Sequence, residues 1–135
     1  MAPPTPRRKV LIIEDEPSIR NVLYVLLAGL GCDGDVAHST DQAVSMIRHG
    51  QFDAVLLDLR SADALPQMDT AIREFQPSLV GRVLVITGEV SDPAILEMLE
   101  RYSVPHIRRS RVSSDLWGRL RTLLGFARSA DSPSR

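Results

Sequence analysis

Three short apolar runs in this chain each stop on a polar, oxygen-bearing residue. Val10-Leu11-Ile12-Ile13 stops on Glu14-Asp15, Ala54-Val55-Leu56-Leu57 on Asp58, and Val83-Leu84-Val85-Ile86 on Thr87. The runs have strand length, and continuous apolarity is what a strand shows when both faces of a parallel sheet are covered. In an open parallel sheet the carboxyl ends of the strands lie side by side and form the crevice where ligands bind. Residues more than forty positions apart in the chain meet there. Carboxylates brought so close repel one another, an arrangement tolerated chiefly around a hard divalent cation with oxygen ligands. A threonine hydroxyl beside them adds a donor for an oxyanion. The pattern points to metal-assisted phosphoryl transfer.

Between these runs the apolar period changes from strand to helix, the alternation of βα units. Pro17 suits the first turn of a helix, and Ile19, Val22, Leu23, Leu26, Leu27 and Leu30 follow helical spacing up to Gly31. Asp35-Val36-Ala37 reads as a weak second strand, and Ser39-Thr40-Asp41-Gln42 as a capping box opening a helix that closes near Gly50. The third strand is expected over Asp53 to Leu57, with a helix between Leu65 and Phe75 whose start is blurred by Pro66. Arg82 to Thr87 gives a fourth strand, and Ser91-Asp92-Pro93 caps a helix through about Arg101. Val104 to Arg108 gives a fifth strand; Ser113 or Ser114 caps a last helix with Leu116, Leu120, Leu123 and Leu124 inward. The expected fold is α/β: a five-stranded parallel sheet, doubly wound as (βα)5. Residues 1–8 read as a disordered arm, 9–126 as one domain, and 127–135 as a disordered tail.

Composition excludes several classes. A chain of 135 residues with 44% hydrophobic content and a net charge of −1 has the profile of one ordinary globular domain. The single Cys32 rules out an internal disulfide framework and reads as a small core residue; without a cysteine–histidine cluster a structural zinc site is also out. No segment has signal-peptide or membrane-spanning character, so a cytoplasmic location and no membrane partner are expected. Eight arginines face two aspartates from Arg101 onward. They read first as a solvated helix face and second as a surface for an acidic partner. Without interleaved aromatics they argue little for nucleic acid.

With its strand-end motifs in order, the chain resembles the receiver domain of two-component response regulators, a flavodoxin-like fold, over roughly residues 9 to 126. The resemblance rests on Val10-Leu11-Ile12-Ile13-Glu14-Asp15-Glu16-Pro17, Val55-Leu56-Leu57-Asp58-Leu59 and Val83-Leu84-Val85-Ile86-Thr87-Gly88. It implies that Asp58 accepts a phosphoryl group from a phosphohistidine. It further implies that Glu14, Asp15, Asp58 and the backbone carbonyl of Arg60 hold Mg2+, with Mn2+ an alternative. Thr87 and Gly88 would receive the phosphoryl oxygens, and Arg60 and Glu89 would border the mouth or form a rim ion pair of little worth.

Departures from the family pattern are as informative. Arg109 stands where receivers carry a lysine and Ser110 where they carry a cis proline. By the resemblance Arg109 is a phosphate-binding candidate with Thr87 and Gly88: an arginine keeps the charge and offers a planar fork to phosphate, but it is not a compact ammonium. Without proline the main reason for a cis peptide is gone. His106 occupies the switch position of an aromatic residue, its bland reading being an ordinary half-buried histidine. The loop Ser61-Ala62-Asp63-Ala64-Leu65-Pro66-Gln67-Met68-Asp69 also differs from the family's usual sequence. Trp117, with the last-helix arginines, reads as packing or as part of an output surface.

The expected function is a stand-alone receiver, phosphorylated by a histidine kinase or a histidine phosphotransfer protein. It would signal to an unknown downstream protein through its fourth and fifth helices and fifth strand, with a homodimer open and no direct DNA binding. A pseudo-receiver that binds without switching by phosphate is the alternative. A turnover enzyme is disfavoured: Arg60 stands where related hydrolases need a second acid, and no Gly-rich phosphate loop is present.

Overall fold

A computed structural model describes residues 7–14, 16–59, 63–88 and 92–125. Among them, five parallel strands form one sheet in the order β2-β1-β3-β4-β5. They are β1 (Arg8–Ile13), β2 (Cys32–Ala37), β3 (Ala54–Asp58), β4 (Val83–Thr87) and β5 (His106–Arg108). The helices are α1 (Pro17–Gly29), α2 (Thr40–His49), α3 (Ala64–Phe75), α4 (Pro93–Tyr102) and α5 (Val112–Leu123). None of the described helices is long and apolar enough to cross a membrane. The doubly wound α/β fold expected from the sequence is the fold observed.

Strand alternation divides the core into two layers. Leu11, Ile13, Val55, Leu57, Val83 and Val85 face one way, onto Ala43 and Ile47 of α2, Leu65, Met68 and Ile72 of α3, and Leu99 of α4. Val10, Ile12, Ala54, Leu56, Leu84 and Ile86 face the other, onto Leu23 and Leu27 of α1 and Val112, Leu116 and Leu120 of α5. Each fully buried aliphatic side chain contributes about 1.5–3 kcal/mol. Cys32, 2% exposed, is part of the second layer, a core residue as read from the sequence.

Local signals hold with small shifts. The Ser39 hydroxyl accepts from the Gln42 N–H at 3.0 Å. The reciprocal Gln42 amide oxygen accepts from His38 N at 2.7 Å, one residue earlier than a strict capping box places it. Asp92 caps α4, accepting from Ala94 N at 2.9 Å, ahead of Pro93 in the first turn. Gly31 follows α1 with φ of 73°, a left-handed position that favours glycine.

Four expectations need correction. β1 begins at Arg8, inside the expected arm, because its register continues to Arg8 opposite Cys32. β3 is shifted by one residue to end on Asp58 itself. β5 is shorter than expected, His106–Arg108: the Pro105 carbonyl still accepts from Val85 N at 3.0 Å, but Pro105 has no N–H to extend the pairing toward Val104. Neither Ser113 nor Ser114 caps α5: a 3-10 turn, Arg109–Arg111, runs straight into Val112. Ser114 instead lies in the first turn, its hydroxyl donating to the Arg111 carbonyl at 3.2 Å.

Candidate functional site

Parallel register sets the site. Val10 to Ile13 pair with Ala54 to Leu57, and Val55 to Asp58 pair with Val83 to Ile86. Glu14, Asp58 and Thr87 therefore arrive at one edge of the sheet. Thr87 pairs with Arg108, which delivers Arg109 to the same edge as the next residue. Alternation also sets direction. Glu14 and Asp58 continue the rows of Val10, Ile12, Ala54 and Leu56 toward α1 and α5, whereas Thr87 continues Val83 and Val85 toward α4.

The two carboxylates are almost fully buried, with side chains 0% exposed for Glu14 and 2% for Asp58. Burial first, and then the Asp58 carboxylate beside it, hold the Glu14 carboxyl above its ordinary pKa. The Glu16 backbone N–H, which donates to Glu14 Oε2 at 3.1 Å, and the Arg109 charge oppose that rise. Two carboxylates so placed need positive charge, and Arg109 supplies it. Its Nη2 donates to Asp58 Oδ1, and its Nη1 donates to Glu16 Oε2 at 2.7 Å and lies 4.0 Å from Glu14 Oε2. The guanidinium fork thus spans the end of β3 and the residue that opens α1.

Thr87 lies on the other side of this edge. Its hydroxyl reaches the Ile107 carbonyl at 3.5 Å, the outer limit of a hydrogen bond, so it is hardly committed. A Cβ added at Gly88 would meet nothing within 4 Å, so open space borders the residue expected to admit an anion. Thr87, Gly88, Asp92, Leu96, His106 and Arg108 line part of a cavity of about 410 Å³ between α4, β5 and α5.

Several expected site residues are thereby located. Glu14, Asp58 and Arg109 come together, while Thr87 and Gly88 stand at the mouth. Asp15, Arg60 and Glu89 lie outside the described residues, so the Asp15 and Arg60 metal ligands and the rim pair have no geometry here. His106 is exposed, not half-buried, because it points from a short edge strand toward the open α4 side. Trp117 rests over α1, where a Cβ at Gly29 would come within 2.8 Å of its ring. Glu16 was the residue missed: its signal was a third acid in Glu14-Asp15-Glu16, read only as part of a motif.

As donors, Glu14 and Asp58 fit a hard divalent cation: both present carboxylate oxygens at one buried point. Among the described residues no third metal-binding side chain of that kind completes a cluster.

Comparison with known proteins decides the family. The sequence matches the response regulator receiver domain over residues 10–107. The chain belongs to that family. It is 26% identical over 132 residues to the DNA-binding response regulator MtrA of Mycolicibacterium smegmatis, an alignment spanning 96% of this chain and 55% of MtrA. It is 29% identical over 126 residues to the transcriptional regulatory protein ZraR of Klebsiella oxytoca, spanning 92% of this chain and 28% of ZraR. The chain thus spans about half, or less, of these relatives.

The receiver fold is equally clear. A CheY-like receiver domain protein from Methanospirillum hungatei superposes with a TM-score of 0.74 at 16% identity, covering 94% of this chain and 100% of that one. The receiver domain of sensor histidine kinase PA1611 from Pseudomonas aeruginosa, solved with magnesium in its active-site cleft, gives 0.72 at 19% identity, covering 89% and 99%. The chain forms a receiver domain of a two-component response regulator.

Proposed function

We propose that this receiver accepts a phosphoryl group on Asp58 from the phosphohistidine of a histidine kinase or a histidine phosphotransfer protein. One observation carries the reading. The register brings a buried carboxylate pair, Glu14 and Asp58, to the sheet edge beside the Arg109 cation, with the weakly committed Thr87 hydroxyl at the mouth. An Asp58 oxygen forms the O–P bond as the N–P bond of the donor breaks, the electron pair returning to the imidazole nitrogen. Glu14, Asp15, Asp58 and the Arg60 carbonyl would hold Mg2+, or Mn2+, which when bound supplies the charge that lets one anion attack another. Thr87 donates its hydroxyl and Gly88 its N–H to the transferred group.

The output proposed is contact with another protein through α4, β5 and α5. Ile95 and Leu96 offer an apolar strip there, beside Arg108, Arg111 and Arg119. MtrA is a DNA-binding regulator by name; for this chain, with a net charge of −1, protein contact through this face is the output we propose. A cytoplasmic location accords with a kinase partner and an aspartyl phosphate.

A second reading, a pseudo-receiver that does not switch by phosphate, is favoured by one observation: Arg109 already occupies Asp58. Treatment with a small phosphodonor and Mg2+, followed by intact mass, separates the two. The expected result is a gain of one phosphoryl group in the wild type and none in Asp58→Asn. An unlabelled wild type, under conditions that label an ordinary receiver, would establish the pseudo-receiver.

A further inference from the structure

Arg109 does more than stand in for a lysine. Its two terminal nitrogens are committed in different directions, one to Asp58 on β3 and the other to Glu16 before α1. A lysine ammonium is a single point of charge on a flexible stem and does not span two carboxylates as a rigid fork does. Glu16 is placed to hold that fork. It is the N-cap residue of α1, yet its side chain makes no capping bond; its carboxylate accepts from Arg109 and, at 2.9 Å, from the Ser18 hydroxyl. The Arg109 side chain is 22% exposed, between an almost fully buried Asp58 and a Glu16 side chain that is 45% exposed. It therefore lies at the boundary between the acidic pocket and solvent.

We propose that Arg109 is a resident cation that a divalent ion must displace from Asp58, and that Glu16 is the residue that holds it in place. This rests on the reading of Glu14 and Asp58 as divalent-cation ligands. The pocket cannot keep both charges on the same carboxylate oxygens, since like charges at contact distance repel strongly where water is scarce. Cation affinity in this chain is then set by the strength of the Arg109 clasp, with Glu16 as a positioning residue outside the ligand set.

The test measures Mg2+ binding by isothermal titration calorimetry in the full chain, with melting temperatures taken with and without Mg2+. Arg109→Gln removes the competitor and tightens Mg2+ by about tenfold. Arg109→Lys keeps the charge but loses the fork, and tightens it by about threefold, so net charge is not the cause. Glu16→Gln is the decisive variant. Simple electrostatics has the loss of a nearby negative charge weaken Mg2+. A holding role for Glu16 instead has it tighten Mg2+ by about threefold in the wild-type background. In the Arg109→Gln background the same substitution no longer tightens binding, because the clasp it acted through is gone.

Each variant that binds more tightly also shows a larger rise in melting temperature on adding Mg2+. Glu16→Gln and Arg109→Lys no tighter than the wild type, with Arg109→Gln still binding, would overturn the clasp and leave the metal reading intact. Mg2+ binding by none of the variants would overturn the metal reading and the clasp with it. Should Arg109→Gln unfold, the other two single variants still decide the question.

Discussion

α4 and α5 flank the same short strand, β5, and are held to the fold very differently. α5 buries Val112, Leu116 and Leu120, with Leu124 just beyond it. Its last carbonyls are also tied back: Arg8 donates to that of Leu124, and Arg82 to that of Leu123 at 3.4 Å. At its other end the Arg109–Arg111 turn anchors it to Asp58 and Glu16. α4, among the described residues, buries Leu99 and leaves Leu96 47% exposed. Two more fully buried aliphatic side chains favour the seating of α5 over α4 by roughly 3–6 kcal/mol, which the half-buried Ile95, Met98 and Tyr102 of α4 offset only in part. A charge change at Asp58 or Thr87 therefore meets a fixed helix on one side and a lightly held one on the other. The lightly held side is where the cavity lies and where Thr87 points.

The largest expected effect breaks the fixed side. Leu120→Ala should cost about 2–5 kcal/mol, the range for a fully buried leucine in a close-packed core. The exposed Leu96→Ala on α4 should stay within about 0.5 kcal/mol of the wild type. Chemical denaturation of both variants measures the contrast directly. Equal losses would mean that α4 is seated as firmly as α5, and the asymmetry would be gone.

That asymmetry was partly legible in the sequence. The leucine spacing of α5 announced its inward face, and the unbroken apolar runs within β1, β3 and β4 announced a sheet covered on both sides. Strand ends carried the site for the same reason: an apolar run stops where the chain leaves the core, so Glu14, Asp58 and Thr87 could be named from the run alone. β5 could not be bounded this way, because a three-residue edge strand with exposed His106 and Arg108 has no apolar run to end. Nor could the start of α5, where serines offered ordinary caps but the 3-10 turn took their place. Glu16 was visible as a third acid, but its partner was not: it pairs with Arg109, 93 residues away, and no local pattern encodes such a pairing.

A smaller effect sharpens the loose side. Asp92 caps α4 through the Ala94 N–H, and Asp92→Ala should cost about 1 kcal/mol. A helix so lightly held should open separately from the core, so the loss should appear mainly as faster amide hydrogen exchange within Pro93–Tyr102. Exchange in Val112–Leu123 should hardly change. Acceleration spread evenly over both helices would show that they open as one unit.

The smallest effect reads the closure of the α1–α5 layer from inside. Cys32 lies in that layer, and burial holds its thiol above its ordinary pKa of 9.0, against the pull of Arg8 and Arg7. In the unfolded chain the thiol gives up its proton near that ordinary value, while in the fold it keeps it. Above about pH 9 the folded state then binds more protons than the unfolded state, so stability falls as pH rises from there. A single thiol limits its share of the slope to about 1.4 kcal/mol per pH unit. Cys32→Ala should flatten the decline between pH 9 and the raised value, at the cost of a small cavity that is the same at every pH. Denaturation of both proteins across that window checks it. Parallel curves would mean that the thiol ionises as readily folded as unfolded, and that the layer under α1 and α5 admits water as the α4 side does.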